Sequence, residues 1–330
     1  MKRLSLVMLA AVGLCAPLTG AAQSPAMRAG TIAVPVEVTV VNSLGHLVTT
    51  LTQDEFEVFD NGKRQVLTTF KHEVQPITVV VMIDSSGSLV WDAASVQNAA
   101  EQFITKGLLP GDRARVGSFS DHIEIKPPEF TSDRAELIQL LHDHPQNAGA
   151  APLWNAASAA MDALAHQPGR RVALIFTYGK DQPDKTAVNT TLAQIRTRAQ
   201  AEDIVFYAMG LAGKIHGGPS PILFQRGRGG ATGRGAATSP VSPNAVATPD
   251  PGLKPLTGDS GGEYFEFEPG NGFESTFAHV ADALHDAYVL GFTASSMDGK
   301  IHKLEVRVRE PGLIVHARKS YLAAPNDAGK

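Results

Sequence analysis

The chain has 330 residues, one cysteine and a formal net charge of −4, from 33 acidic and 29 basic side chains. That balance argues against a nucleic-acid or anionic-membrane partner, and one cysteine excludes a disulfide framework or a thiolate metal centre. The length allows two domains or one elaborated domain.

Lys2 and Arg3 precede an apolar run from Leu4 to Leu14, followed by the small residues Gly20, Ala21 and Ala22. This is the layout of a secretory signal, residues 1–22, with cleavage expected after Ala22. The run is too short to span a bilayer comfortably. Cys15 follows Leu14, where a lipidation signal wants a small residue, so the thiol is expected to leave with the leader. Losing Lys2 and Arg3 leaves 27 basic against 33 acidic residues, a net −6. No later segment is apolar for long enough to cross a membrane. The mature protein is expected to be exported, periplasmic or secreted.

Residues 31–72 read as β. Val36, Val38 and Val40 alternate at period two, and Asp60-Asn61-Gly62 signals a tight turn between two strands. Some 40 residues cannot bury a stable core alone, so they need a partner. From Ile77 strands and helices alternate. Ile77 to Ile83 is a continuous apolar run, as in a central parallel strand buried on both faces. A helix follows with Val96, Ala100 and Phe103 inward, then a strand Ala114–Phe119. Asp133 and Glu136 resemble a capping box opening a helix with Leu137, Leu140 and Leu141 inward. Pro152 suits a helix start whose stripe is Leu153, Ala157, Ala160 and Leu164. Arg171–Thr177 is a buried strand, Val188, Leu192 and Ile195 mark a helix, and Ile204–Met209 is the next strand.

Residues 213–251, rich in Gly, Pro, Ser, Ala and Thr, read as a disordered insertion. Order is expected to resume at the strand Glu263–Phe267. A helix with Phe273, Phe277, Val280 and Leu284 and three β segments follow, the last two predicted as a hairpin around Pro311-Gly312. The pattern predicts an α/β domain over 75–290, a doubly wound parallel sheet. It is inserted between an N-terminal β segment and a C-terminal one, 291–323, that together build a small β-sandwich-like module. Residues 324–330 are expected to be a disordered tail.

In doubly wound sheets ligands sit beyond the carboxyl ends of the strands. Asp84, Ser86 and Ser88 lie there, spaced D-x-S-x-S. The spacing resembles the metal-ion-dependent adhesion site of von Willebrand factor A domains. The resemblance implies a Rossmann-like fold and one Mg²⁺ or Mn²⁺ held by the aspartate and serines, its shell completed by a partner's carboxylate. The segments Gly149–Trp154 and Thr177-Tyr178-Gly179 fall in the family's order. The flanks, "LTQDEFEVFDNGKRQ" and "KLEVRVREPGLIVHARKSYL", look like an exported VWA-related family abundant in acidobacteria. Two ligands that complete sites carry are missing: Ala151 stands where the family has threonine, and Tyr178 where it has aspartate. A contact charge pair is worth roughly 4 kcal/mol at an effective dielectric near 20, so the loss of one carboxylate could weaken binding by several decades. The residues admit three readings: a tight site, a weak or partner-completed one, or serines that merely cap the following helix.

Gly258-Asp-Ser-Gly-Gly262 is the nucleophile motif of trypsin-like proteases, which would make Ser260 catalytic. The α/β pattern before it favours a glycine-rich turn instead. Arg226–Gly235 is similar to RNA-binding Arg-Gly segments but suits solubilising loop content, and His142 and His144, two apart, do not face each other on a helix. The expected function is a non-enzymatic protein that binds a macromolecular partner, a protein, or mediates adhesion. Its loop face has Asp84, Ser86 and Ser88 as floor and Ala151, Pro152, Leu153, Trp154 and Tyr178 as an apolar rim. The alternatives are a serine hydrolase using Ser260 and a structural component of envelope assembly.

Overall fold

Apolar residues from Ile77 onward extend into a strand because they are β-branched and bounded by polar turns. All eight residues of Ile77–Asp84 are buried. A computed structural model of the chain describes residues 33–86, 93–143, 150–177, 179–183, 188–211, 213–214, 246–267 and 273–324. The strands are β1 (Ala33–Val41), β2 (Phe56–Asp60), β3 (Lys63–Gln65), β4 (Leu67–His72), β5 (Ile77–Asp84), β6 (Arg113–Phe119), β7 (Ile123–Thr131), β8 (Arg170–Thr177), β9 (Ile204–Leu211), β10 (Gly213–Lys214), β11 (Val246–Ala247), β12 (Tyr264–Phe267), β13 (Tyr288–Thr293), β14 (Ile301–Val308), β15 (Ile314–Ala317) and β16 (Ser320–Leu322). The helices are α1 (Ala93–Gln102), α2 (Arg134–His142), α3 (Leu153–Leu164), α4 (Leu192–Glu202), α5 (Leu253–Ser260) and α6 (Phe273–His285).

The main sheet runs β12-β9-β8-β5-β6-β7, parallel except for the edge strand β7. Period-two alternation splits β5 between two cores. Ile77, Val79, Val81 and Ile83 pack with Val96, Ala100 and Phe103, with Leu137 and Leu141, and with Val280 and Leu284. Val80 and Met82 face the other way, against Leu153, Ala157, Ala160 and Leu164, Ile195 and Leu256. Each of the larger of these buried side chains, Val, Leu, Ile, Phe or Met, is worth roughly 1.5–3 kcal/mol, so helices cover both faces of the sheet. This is the doubly wound α/β architecture that the alternating pattern predicts.

The two ends of the chain pair as expected. β1 lies between β13 and β15 in a sheet ordered β15-β1-β13-β4, and β14 lies between β16 and β2 in a second, β16-β14-β2-β3. They enclose Val36, Val38, Phe56, Val58, Tyr288, Leu290, Phe292 and Leu304. The Asp60-Asn61-Gly62 turn joins β2 and β3 with φ of 49° at Asn61 and 80° at Gly62, the left-handed pair a two-residue hairpin needs. The sandwich is locked to the α/β layer by a salt bridge of 3.0 Å between Glu37 and the buried Arg170.

Several elements differ from expectation. β14 and β15 do not form a hairpin ladder: the chain turns at Gly312 but passes from one sheet to the other, because β1 takes β15 and β2 takes β14. Val188 is 95 % exposed and precedes α4, which opens at Thr191. Thr191 and Gln194 form a reciprocal capping box there. Asp133 caps α2, accepting from the Ala135 and Glu136 amides. β7 and α5 were not foreseen: β7 is an edge strand without clean alternation, and α5 includes Gly258–Ser260 of the stretch expected to be a glycine-rich turn. Of the expected disordered insertion, 213–214 and 246–247 pair as a short ladder and 248–251 are placed. Residues 215–245 lie outside the described residues, as do the 1–22 leader, Phe277's side chain and all of the 324–330 tail except Ala324.

Candidate functional site

The strand order reverses at β5: the chain moves to β6 on one side and later to β8 on the other. That opens a crevice at the carboxyl ends of β5 and β8. Asp84 ends β5 and Thr177 ends β8; both are 2 % exposed. The Thr177 hydroxyl donates to Asp84 Oδ2 at 2.7 Å, and the Ser86 amide donates to Asp84 Oδ1 at 3.1 Å, an Asx turn. Ser85 ties the strand end to β6, its amide and hydroxyl both donating to the Phe119 carbonyl at 3.0 and 3.3 Å. Asp84 is thus fixed by its own turn and by the neighbouring strand.

The other loops converge on the same crevice. Thr177 Oγ1 accepts from the Gly179 amide at 3.3 Å, and a Cβ built on Gly179 would stand 4.0 Å from Asp84 Oδ2. The Gly179 carbonyl accepts from the Asp250 amide at 3.1 Å, and Asp250 Oδ2 accepts from the Asp181 amide at 3.0 Å. Asp181 Oδ1 accepts from the Trp154 amide at the start of α3, 3.3 Å. The Ala151 carbonyl accepts from Gln182 N at 2.9 Å, and Asp121 Oδ1 accepts from Ala150 N at 3.0 Å. Burial pushes the Asp181 carboxyl above the usual aspartate range; the α3 amides pull it back and Asp250 pushes it further up.

Asp84 ends β5 with Ser86 two residues on, and the Thr177 segment lies against the Asp84 carboxylate. Ser88 and Tyr178 lie outside the described residues. The rim differs from expectation. Ala151 is 2 %, Leu153 1 % and Trp154 6 % exposed, and Pro152 is buried too. These side chains point into the core under α3, and the Trp154 indole packs close to Gly252 at the start of α5. A side chain this buried offers a partner almost no area, so Trp154 does not serve as an exposed aromatic anchor in this conformation. Thr177 and Asp250 were missed as site residues. Thr177 was legible as the polar end of a buried strand; Asp250 was hidden in the insertion.

A hard divalent cation asks for about six oxygen ligands. The described residues bring one carboxylate, whose two oxygens already accept hydrogen bonds, and the hydroxyls of Ser86 and Thr177. Asp181 and Asp250 spend their carboxylates on backbone amides. Among the described residues no group of three or more His, Cys, Asp or Glu could hold a metal. Among the described residues, which do not include Ser88, these donors alone fall short of the about six that a Mg²⁺ or Mn²⁺ centre asks for.

Ser260 is built as a structural residue. It is 4 % exposed, its hydroxyl accepts from Phe206 N at 2.9 Å and donates to the Thr257 carbonyl at 3.1 Å. Gly261 ends α5 with φ of 93°. Asp259 carries Arg196 and Lys319 rather than a histidine. The motif is a helix C-cap, not the plain turn expected. His142 pairs with Glu101 at 3.0 Å; His144 and Arg226–Gly235 lie outside the described residues. No described helix is long and apolar enough to cross a membrane.

Solved structures similar to the chain include BatB from Bacteroides thetaiotaomicron, at 15 % identity and TM-score 0.45, covering 63 % of this chain and 98 % of that one. A von Willebrand factor type A protein from Catenulispora acidiphila aligns at 11 % identity and TM-score 0.48, covering 83 % of this chain and 74 % of that one. Proximal thread matrix protein 1 from the mussel byssus aligns at 10 % identity and TM-score 0.47, covering 68 % of this chain and 51 % of that one. No curated protein matches the sequence. Residues 79–180, which build the strands and loops around Asp84, match the family described as von Willebrand factor type A domain.

Proposed function

We propose that the chain is an exported, non-enzymatic protein that binds a macromolecular partner, a protein, through the loop face around Asp84, Ser86 and Ser88, without requiring a tightly bound divalent cation. The observation that carries this reading is the gathering around Asp84 of the loops after β5, β6 and β8 and before α3, most of them inside the segment that matches the family, with the loop before α5 joining from outside it through Asp250. Export rests on the Lys2–Ala22 leader, and the wider likeness to the exported acidobacterial VWA-related proteins on the two flanks.

With the rim side chains of α3 turned inward, recognition falls to the loop backbones and to polar groups such as Asp121, Lys180 and Gln182. Lys180 and Gln182 are exposed. The test is crosslinking of the mature protein in its native envelope fraction, with and without EDTA, beside Asp84→Ala and Lys180→Glu. One discrete crosslinked product, unaffected by EDTA and lost in both variants, is the expected result. A product that survives both substitutions sinks the proposal, and one abolished by EDTA sinks its metal independence. Calorimetric titration of the mature protein with Mg²⁺ and Mn²⁺ is expected to show no saturable heat.

A further inference from the structure

Among the described residues the sandwich is open along one side. β14 pairs with β2 along Leu304–Val308 but with β16 only along Ile301–Lys303. The Leu304 amide still reaches the Lys319 carbonyl at 2.8 Å. Alternation directs the amide and carbonyl groups of Val306 and Val308 to that same side, beyond the end of β16. Across from them β15 is the edge strand of the other sheet, with β1 as its one paired neighbour among the described strands. The two edges border a groove of about 190 Å³ lined by Val306, Val315 and Ala317 and, around them, Lys303, Arg318 and Lys319. The three apolar residues are only partly buried against the sandwich core. The one acid in the lining, Glu305, is already held by Arg307 at 2.7 Å; Arg318 pairs with Asp203, and Lys319 shares Asp259 with Arg196, so Lys303, which is exposed, supplies the surplus positive charge.

We propose that this groove receives an extended acidic segment of a partner protein. The segment adds a strand to the free edge of β14 and sets alternate apolar side chains between the sheets, with a carboxylate meeting Lys303. Three features select this occupant: backbone groups that only a strand can pair, an apolar floor that takes every second side chain, and a cationic surplus that favours acid over base. The surface belongs to the sandwich and stands whether or not the loop face around Asp84 binds anything.

The probe is an acetylated, fluorescently labelled peptide of alternating valine and glutamate, about ten residues long, enough to run the length of β14. Anisotropy is expected to show saturable binding to the mature protein, weakened about tenfold or more by Lys303→Glu. A peptide N-methylated at alternate residues, which cannot donate along one edge, is expected to lose binding to a similar degree. Hydrogen exchange of the Val306 and Val308 amides should slow in the complex. The proposal is overturned by no saturation up to about 1 mM peptide, by equal binding of a peptide with lysine in place of glutamate, or by indifference to N-methylation. Sedimentation showing a dimer that Val306→Arg dissociates would assign the groove to a second copy and overturn it as well.

Discussion

The hydroxyl of Thr177, at the end of β8, donates to the carboxylate of Asp84, at the end of β5, across 2.7 Å. Ninety-three residues apart in sequence, the two meet because β5 and β8 are parallel neighbours in register from Ile77 and Arg170 onward. This bond turns the aspartate of the motif into a strut between strands. Thr177→Val removes the donor while keeping the shape and is expected to cost about 1–3 kcal/mol, the cost of withdrawing a partner from a buried charged group. Thr177→Ser should recover most of it. Urea unfolding of the three proteins decides, and an unchanged midpoint for Thr177→Val would remove the strut from the account.

Ser260 offers a test of the hydrolase alternative. Ser260→Ala leaves the Phe206 amide without its acceptor and is expected to destabilise by about 1–3 kcal/mol. A fluorophosphonate probe should not label wild-type protein at Ser260. Labelling lost in Ser260→Ala would contradict the structural role.

Arg170 is 3 % exposed at its side chain and faces Glu37 of β1 at 3.0 Å. Glu37→Ala leaves a buried guanidinium without its anion, a change that typically costs about 3–5 kcal/mol. Because Glu37 belongs to the sandwich and Arg170 to the α/β layer, the loss should appear as separation of the two modules' unfolding transitions in calorimetry. A single transition at the wild-type temperature would argue against the lock.

The Glu263 carboxylate, 3.5 Å away, raises the His279 imidazole above its usual 6.5, with added attraction from Asp282, and together they outweigh burial. His316 of β15 faces the same carboxylate at 3.9 Å. A histidine that binds its proton more tightly when folded contributes fully below the unfolded value and loses that contribution as pH rises through the folded one. Wild type should therefore lose stability relative to His279→Gln as pH climbs from 5.5 to 8.5, read from urea midpoints. A constant difference across that window would refute it.

The local signals in the sequence were sufficient for the α/β layer. The run Ile77–Ile83, the stripes of α1, α2 and α3 and the Asp60-Asn61-Gly62 turn each state a period or a turn chemistry that does not depend on distant residues. From them the doubly wound sheet, and Asp84 at its carboxyl edge, follow. β7 and α5 were harder, since one is an edge strand with little alternation and the other a helix containing glycine and proline, both held by packing rather than propensity.

The amino-acid order by itself settled most of the strands and helices, though not β7 or α5, and that a carboxylate and serines end the first buried strand. Tertiary structure alone decided what those groups face. Whether Trp154 points to solvent or to Gly252, whether Asp181 reaches Asp84 or caps α3, and whether β14 pairs with β15 or with β2 are choices between partners far apart in the chain. Each is set by competition for burial and for hydrogen-bond donors, which no local pattern records.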